Sequence, residues 1–203
     1  MKRRKTRKSR PTVGLFISDL ENAYTYNLYM GAMDAAQRSD SNLVIFPGKS
    51  PKAPYEFDYQ FNAVYELPSA ESIDALILAT GTITNFLSYE EFEAFYKRYE
   101  GIPLISISIP LSGISSVLID NKIGMKRAFS HLIKDHNLRK IAFIRGPESN
   151  AEAQERYLVY KEALQENGIE FDPALVYEGD FTFYSAFKAI NELLEERKVK
   201  FDA

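Results

Sequence analysis

The chain contains no cysteine. Disulfides, thiolate catalysis and any metal site built on sulfur are therefore excluded from the outset. Histidine is scarce: the two present, His131 and His136, lie five residues apart on one helical stretch. On an α-helix that spacing misses the i,i+4 register that lets two imidazoles share an ion. Both read as structural or surface residues, and no metal is expected. Long apolar runs are also lacking. "VGLFI" (13–17) is the whole apolar stretch behind a basic start, too short for a signal-peptide core and better read as a strand. Nothing approaches the ~18 apolar residues of a membrane span. A cytoplasmic protein with no membrane partner is the expectation.

Catalytic and cofactor signatures are missing too. Without a G-x-S-x-G elbow, the serines lack the strained turn that exposes a nucleophile. Neither G-x-G-x-x-G nor a P-loop occurs, and "GTITN" (81–85) carries one glycine, so a nucleotide cofactor has no cradle. Glu90–Glu91 and Glu195–Glu196 fall on exposed helix faces as solvated charges. Neither an enzyme nor a cofactor is expected.

Charge is uneven. "MKRRKTRKSR" holds seven basic residues and no acid, leaving 18 basic against 28 acidic side chains, a net of −10, on the rest. An acidic body is a poor general nucleic-acid binder. The basic start, residues 1–11, reads as a disordered, solvated tail.

What is present is ordinary for a globular protein: 45% hydrophobic and 26% charged residues over 203 positions, enough for one large domain or two lobes. Strand and helix patterns alternate. "TVGLFIS" (12–18) is a strand. The stretch 23–39, capped by Asn22, places Tyr24, Leu28, Ala32 and Ala35 at helical spacing, with Tyr29, Met33 and Ala36 beside them. "NLVIFPG" (42–48) is a second strand. Residues 49–68, rich in proline and aromatics, read as an inserted loop with a short helix. "IDALILA" (73–79) is a strand apolar on both faces. "SYEE" (88–91) is a capping box opening a helix that buries Phe92, Phe95, Tyr96 and Tyr99. Strands follow at 103–109, 116–120, 140–146 and 174–180, with helices at 122–136, 151–167 and 184–197.

Such alternation predicts an α/β fold with doubly wound parallel sheets, since parallel strands need helical crossovers. The pattern restarts after Asp120, which predicts two lobes, 12–120 and 121–203. "KVKFDA" (198–203) begins a strand and stops, so the second lobe is expected to be incomplete.

Ligands of open α/β sheets bind beyond the carboxyl ends of the strands. Those ends supply Asp19, Asn22, Tyr24, Thr80, Ser106 and Ser108 in the first lobe. Asp120 and Asn121 follow at the hinge, and Arg145, Gly146, Glu148, Asp180 and Phe181 in the second lobe. Hydroxyls, carboxylates, a guanidinium and aromatic faces suit a small polar ligand such as a sugar or nucleoside. Polar strand ends also occur in any α/β protein, because its loops are wet.

Two stretches carry a resemblance. "SVLIDNKIGMKRAFSHLIKDHNLRKIAFIRGP" (116–147) resembles the crossover of the lac-repressor and ribose-binding-protein family, with its Asp-Asn strand end, glycine-containing helix and Gly-Pro turn. "AEAQERYLVYKEALQENGIEFDPALVYEGDFTFYSAFKAINELL" (151–194) is similar to the family's Arg-containing helix, its Gly-Ile-x-x-Asp-Pro loop and its Gly-Asp-Phe segment. "TVGLFISDLENAYTYNLYMGAMDAAQ" (12–37) resembles the family's first strand and helix. The resemblance implies a two-lobed, periplasmic-binding-protein-like sensor that closes on its ligand. It places ligand contacts at Arg156, Phe181, Tyr24 and Thr25, and implies a homodimer. Repressors of this family carry a helix-turn-helix before the first strand, whereas ten residues precede Pro11 here, so direct DNA binding is not expected. "PYEFDYQFNAVYELPSAESIDALILATG" (54–81) resembles a branch whose sensors precede output modules such as diguanylate cyclases or histidine kinases. The leading expectation is a ligand sensor of a signalling or transcription regulator. The alternatives are an effector-binding fragment of a DNA-binding repressor and a solute-binding transport receptor.

Overall fold

The computed structural model describes residues 10–203; the start of the basic run expected as a tail, residues 1–9, lies outside the described residues. The chain divides into two compact units between Leu118 and Ile119.

The first unit is built on five strands: β1 Thr12–Ile17, β2 Asn42–Pro47, β3 Ala75–Leu78, β4 Leu104–Ile107 and β5 Ser115–Val117. They pair in the order β2-β1-β3-β4-β5, every neighbour parallel. Helices α1 Ala23–Arg38, α2 Asp58–Phe61, α3 Thr80–Ile83 and α4 Tyr89–Lys97 fill the connections. Alternation along β1 sends Phe16 to one face and Leu15 and Ile17 to the other, all three fully buried. Leu15 and Ile17 pack with Ala79 against Leu28, Tyr29 and Ala32 of α1. Phe16 anchors an aromatic core, its ring 5.5 Å from Phe46, 4.7 Å from Tyr65 and 5.0 Å from Tyr99.

Tyr65 explains the insertion at 49–68. A 3₁₀ turn over Asn62–Glu66 drops its ring into the core, fully buried. Its hydroxyl lies 3.0 Å from the Ile17 carbonyl and 2.8 Å from the Lys49 carbonyl, closing the end of β1 against the chain leaving β2. Gly48 permits this approach: a Cβ there would stand 2.4 Å from the Tyr65 ring. Burial pushes the phenol far above its ordinary range.

Two expectations fare differently. The box at Ser88 is formed, with Ser88 Oγ accepting from the Glu91 amide and Glu91 accepting from the Ser88 amide. The helix it opens buries Phe92, Phe95 and Tyr96, and Tyr99 follows in the turn beyond. The stripe of α1, however, is covered only in part. Tyr24 and Met33 are nearly half exposed and Ala35 is exposed. The covered face runs through Thr25, Leu28, Tyr29, Ala32 and Ala36, a regular i, i+3, i+4, i+7 set whose leading member is polar.

In the second unit α5 Asn121–Ser130 runs into a π turn over His131–Asp135. Then come β6 Phe143–Arg145, α6 Ala151–Glu166, β7 Val176–Glu178 and α7 Phe183–Asn191, which ends in a second π turn over Glu192–Glu196. β6 and β7 are parallel. Just ahead of β6 the chain bonds to the residues at the carboxyl end of the sequence, the Ala142 amide donating to the Ala203 carbonyl (2.7 Å) and the Asp202 amide to the Lys140 carbonyl (2.6 Å). The sheet is thus partial. Phe129, Ile133, Ile141, Tyr160, Ala163 and Leu164 form its core, with the Phe143 and Tyr160 rings stacked at 4.8 Å. The strands are shorter than the apolar runs suggested. Residues 118–120 lead into α5 because the Asp120 carboxylate accepts from the Ile123 amide as its cap, and Pro173–Leu175 is a 3₁₀ turn ahead of β7.

Replacing Tyr65 with Phe removes one hydroxyl and leaves two inward carbonyls without it. Urea denaturation is expected to show a loss of about 1–3 kcal/mol, the usual cost of an unmade buried hydrogen bond.

Candidate functional site

Parallel pairing brings the carboxyl ends of β1, β3 and β4 to one edge of the first unit, with the strand order changing direction between β1 and β3. At that edge the Ser18 amide donates to Thr82 Oγ1 (3.2 Å), joining the two strand ends. Asp19 organises the turn that follows. Its carboxylate accepts from the amides of Glu21 (3.0 Å) and Asn22 (3.1 Å), from Asn22 Nδ2 (2.9 Å), Thr25 Oγ1 (2.9 Å) and Ser18 Oγ (2.9 Å). Burial alone would raise its pKa; the donors from Asn22, Ser18, Glu21 and Thr25 outweigh burial and hold the carboxyl below its ordinary value. Asn22 caps α1 through Oδ1 to the Thr25 amide (2.9 Å).

Several expected contacts prove to be internal ties. Thr80 is fully buried, and its hydroxyl lies 2.7 Å from that of Ser106, which donates to the Ile109 carbonyl. Thr25, 1% exposed, spends its hydroxyl on Asp19 and the Asn22 carbonyl. Thr80, Thr25 and Asp19 thus shape the strand ends in this structure, their polar atoms engaged with neighbouring residues. Tyr24 remains, 45% exposed, with its hydroxyl 2.9 Å from Ser108 Oγ. Ser108 is buried at φ 80°, a left-handed conformation that a side chain rarely adopts.

In the second unit the arginines separate. Arg145 pairs with Glu178, its register partner on β7, and its guanidinium lies 5.1 Å from the centroid of the Tyr157 ring. The pairing holds the Glu178 carboxyl below its ordinary value. Arg145, expected to reach a ligand, clamps β6 to β7 in this structure. Arg156 is placed differently. Its Nε donates to Asn121 Oδ1 (2.7 Å), while Nη2 lies 3.5 Å from Glu152 Oε2, one turn back on α6. Asn121 Nδ2 in turn lies 3.4 Å from Glu152 Oε1. Nη1 of Arg156 has no hydrogen-bond partner among the described residues, and the side chain keeps about a third of its exposure. Asp120 and Asn121, expected at a hinge, cap and open α5 just beyond the division between the units.

Phe181 follows the turn after β7 at φ 66° and is half exposed. Its ring covers Gly146: a Cβ there would meet it at 2.2 Å and the Ala153 methyl at 2.9 Å. Arg156 lies three residues beyond Ala153 on α6, on the same helix side. The Asp180 carboxylate accepts from the Thr182 amide (2.9 Å) and hydroxyl (2.5 Å), fixing the turn that presents Phe181. The sequence pattern did not reveal the Asn121–Arg156 bond, which joins residues 35 positions apart.

This architecture is shared with known proteins. The family description "Periplasmic binding proteins and sugar binding domain of LacI family" matches residues 10–202. The catabolite control protein A of Priestia megaterium is 27% identical over 93% of this chain, which corresponds to 54% of that protein. The HTH-type transcriptional regulator CelR of Thermobifida fusca is 41% identical over 97 residues, 48% of this chain and 27% of its own. Among solved structures, a transcriptional regulator CelR–cellobiose complex superposes with a TM-score of 0.71 at 26% identity, covering 93% of this chain and 56% of that one. The transcription regulator CcpA of Lactococcus lactis gives 0.72 at 28%, covering 93% and 65%. The chain spans about half the length of catabolite control protein A.

Replacing Asp19 with Asn removes the acceptor on which the turn before α1 converges. A loss of about 1–3 kcal/mol in unfolding free energy is expected at neutral pH. Because the folded carboxyl titrates below its unfolded value, its contribution is present above about pH 4. That contribution fades as the pH falls through the folded pKa, so parent and variant should converge in acid, checked by urea denaturation across pH.

Proposed function

Because the chain belongs to the family of periplasmic binding proteins and LacI-type sugar-binding domains, we propose that it is the effector-binding domain of a sugar-responsive transcription regulator. The observation that carries this is the match of the family description over residues 10–202, together with superposition on a cellobiose-bound regulator over 93% of the chain. CelR and the CcpA of Lactococcus lactis are named as transcription regulators, which favours the effector-binding part of a DNA-binding regulator over the ligand sensor without direct DNA binding expected first.

The ligand class follows from the chemistry of the strand ends. A sugar presents vicinal hydroxyls along its edges and C–H groups on its faces. Arg156 offers fixed, always-charged donors, and its Nε bond to Asn121 holds the fork in one orientation. Tyr24, braced by Ser108, offers a hydroxyl and a ring. Phe181, held at an unfavourable φ by the Asp180 turn, offers a ring face. The already satisfied groups, Asp19, Thr25, Thr80 and Arg145, supply rigidity, which lowers the entropy lost on binding. The exposed apolar residues of α1, Tyr26, Met30 and Met33, fit pairing with a second copy of the domain.

Calorimetry of the chain against a panel of mono- and disaccharides that includes cellobiose tests the reading. One saturable sugar is expected. Arg156→Ala should weaken it by about 10–100-fold, the loss of a charge-assisted hydrogen bond. Folded protein that ignores the whole panel, or an Arg156→Ala variant that binds as the parent does, would overturn it.

A further inference from the structure

We propose that His131 and His136 form a two-imidazole chelate for a divalent transition-metal ion that prefers right-angled coordination, copper(II) foremost. The proposal is independent of the sugar-binding reading. On an α-helix, residues five apart diverge around the axis, so the pair has no reason to meet. Here the helix widens: the His136 amide donates to the His131 carbonyl, a five-residue step, and Asn137 at φ 54° ends the segment. The π turn lifts His136 directly over His131. Their Nε2 atoms stand 3.0 Å apart, and the rings are perpendicular.

The second π turn among the described residues provides an internal comparison. It brings Glu192 and Arg197 together in the same five-residue relation, and their opposite charges satisfy one another. At 131–136 the two facing groups are both imidazoles. They must share a proton or share a cation. A linear N–H···N bond of 3.0 Å would set the ring centroids about 5.3 Å apart, because hydrogen bonds favour collinear atoms. The observed 4.5 Å means that the nitrogens converge side by side. An ion about 2.1 Å from each nitrogen would subtend an angle of roughly 90° and place the centroids at about 4.6 Å. Tetrahedral zinc needs a nitrogen separation nearer ~3.4 Å at that bond length. Tetragonal copper(II) or nickel(II) takes the pair as it stands, and copper binds such ligands more tightly.

The surroundings fit. His131 Nδ1 lies 2.8 Å from Asp135 Oδ2, the carboxylate–imidazole arrangement that orients a ligating ring and turns the Nε2 lone pair outward. His131 and Asp135 are both well exposed, so an ion can reach the site. Among the described residues no cluster of three or more His, Cys, Asp or Glu is placed to hold a metal. Water therefore completes the coordination.

The test is unusually clean, because these are the chain's only histidines and it has no cysteine. Untagged protein is titrated with copper(II) and followed by electron paramagnetic resonance. One ion per chain with hyperfine splitting from two imidazole nitrogens is expected. His131→Ala and His136→Ala should each lower affinity at least tenfold, and Asp135→Asn by about 10–100-fold. On the unsubstituted protein, both histidine ring proton signals should broaden together in NMR at substoichiometric copper, a readout that needs no variant to fold. Copper bound equally well without either histidine, a single-nitrogen spectrum, or broadening of only one ring would overturn the proposal.

Discussion

Everything in the first unit follows from strand direction. Because each of the five strands runs parallel to its neighbours, all their carboxyl ends reach one edge, and every turn that leaves a strand must satisfy its polar groups there. The fully buried segment Leu15–Ile17 holds that edge in place. Phe16 ties it to the aromatic core on one face, Leu15 and Ile17 to α1 on the other, and Tyr65 closes over the carbonyl of Ile17. Disturbing that strand would move the Asp19 turn, Thr82 and the start of α1 together.

The two units use the same division of labour. Most polar residues at the strand ends are consumed internally: Asp19 gathers the amides and hydroxyls of its own turn, Thr80 joins Ser106, and Arg145 joins Glu178. Further ties fix individual side chains and turns. Ser108 braces Tyr24, Asp180 fixes the turn of Phe181, and Asn121 orients Arg156. Two of the seven described non-glycine residues at positive φ, Ser108 and Phe181, sit among these. Such strain persists only where the surroundings over-determine it.

Much of this was legible in the residues. Alternating apolar runs and helical spacings placed every strand and long helix, because hydrophobic periodicity reports what must be covered. The capping box at Ser88 was readable because its chemistry is local. What escaped was non-local or disguised. Thr25 heads the covered face of α1 but is polar, so an apolar periodicity passes over it and picks its neighbour Tyr24 instead. Arg145 and Arg156 look alike in one dimension; only pairing with Glu178 across the sheet, and with Asn121 across two helices, tells them apart. The meeting of His131 and His136 depends on a π turn, which no α-helical spacing rule anticipates.

The central claim is that the residues left unspent at the strand ends recognise a sugar. The most direct measurement is an NMR titration of the isotope-labelled chain with cellobiose, following side-chain Nε–H signals of arginine and the amides at each strand end. The account predicts saturable shifts at Arg156 and Phe181, with Arg145 and the amino-terminal ends of the strands, around Asp74 just ahead of β3, unmoved. Shifts centred on Asp74, or an Arg156 signal that stays fixed while other residues saturate, would contradict it.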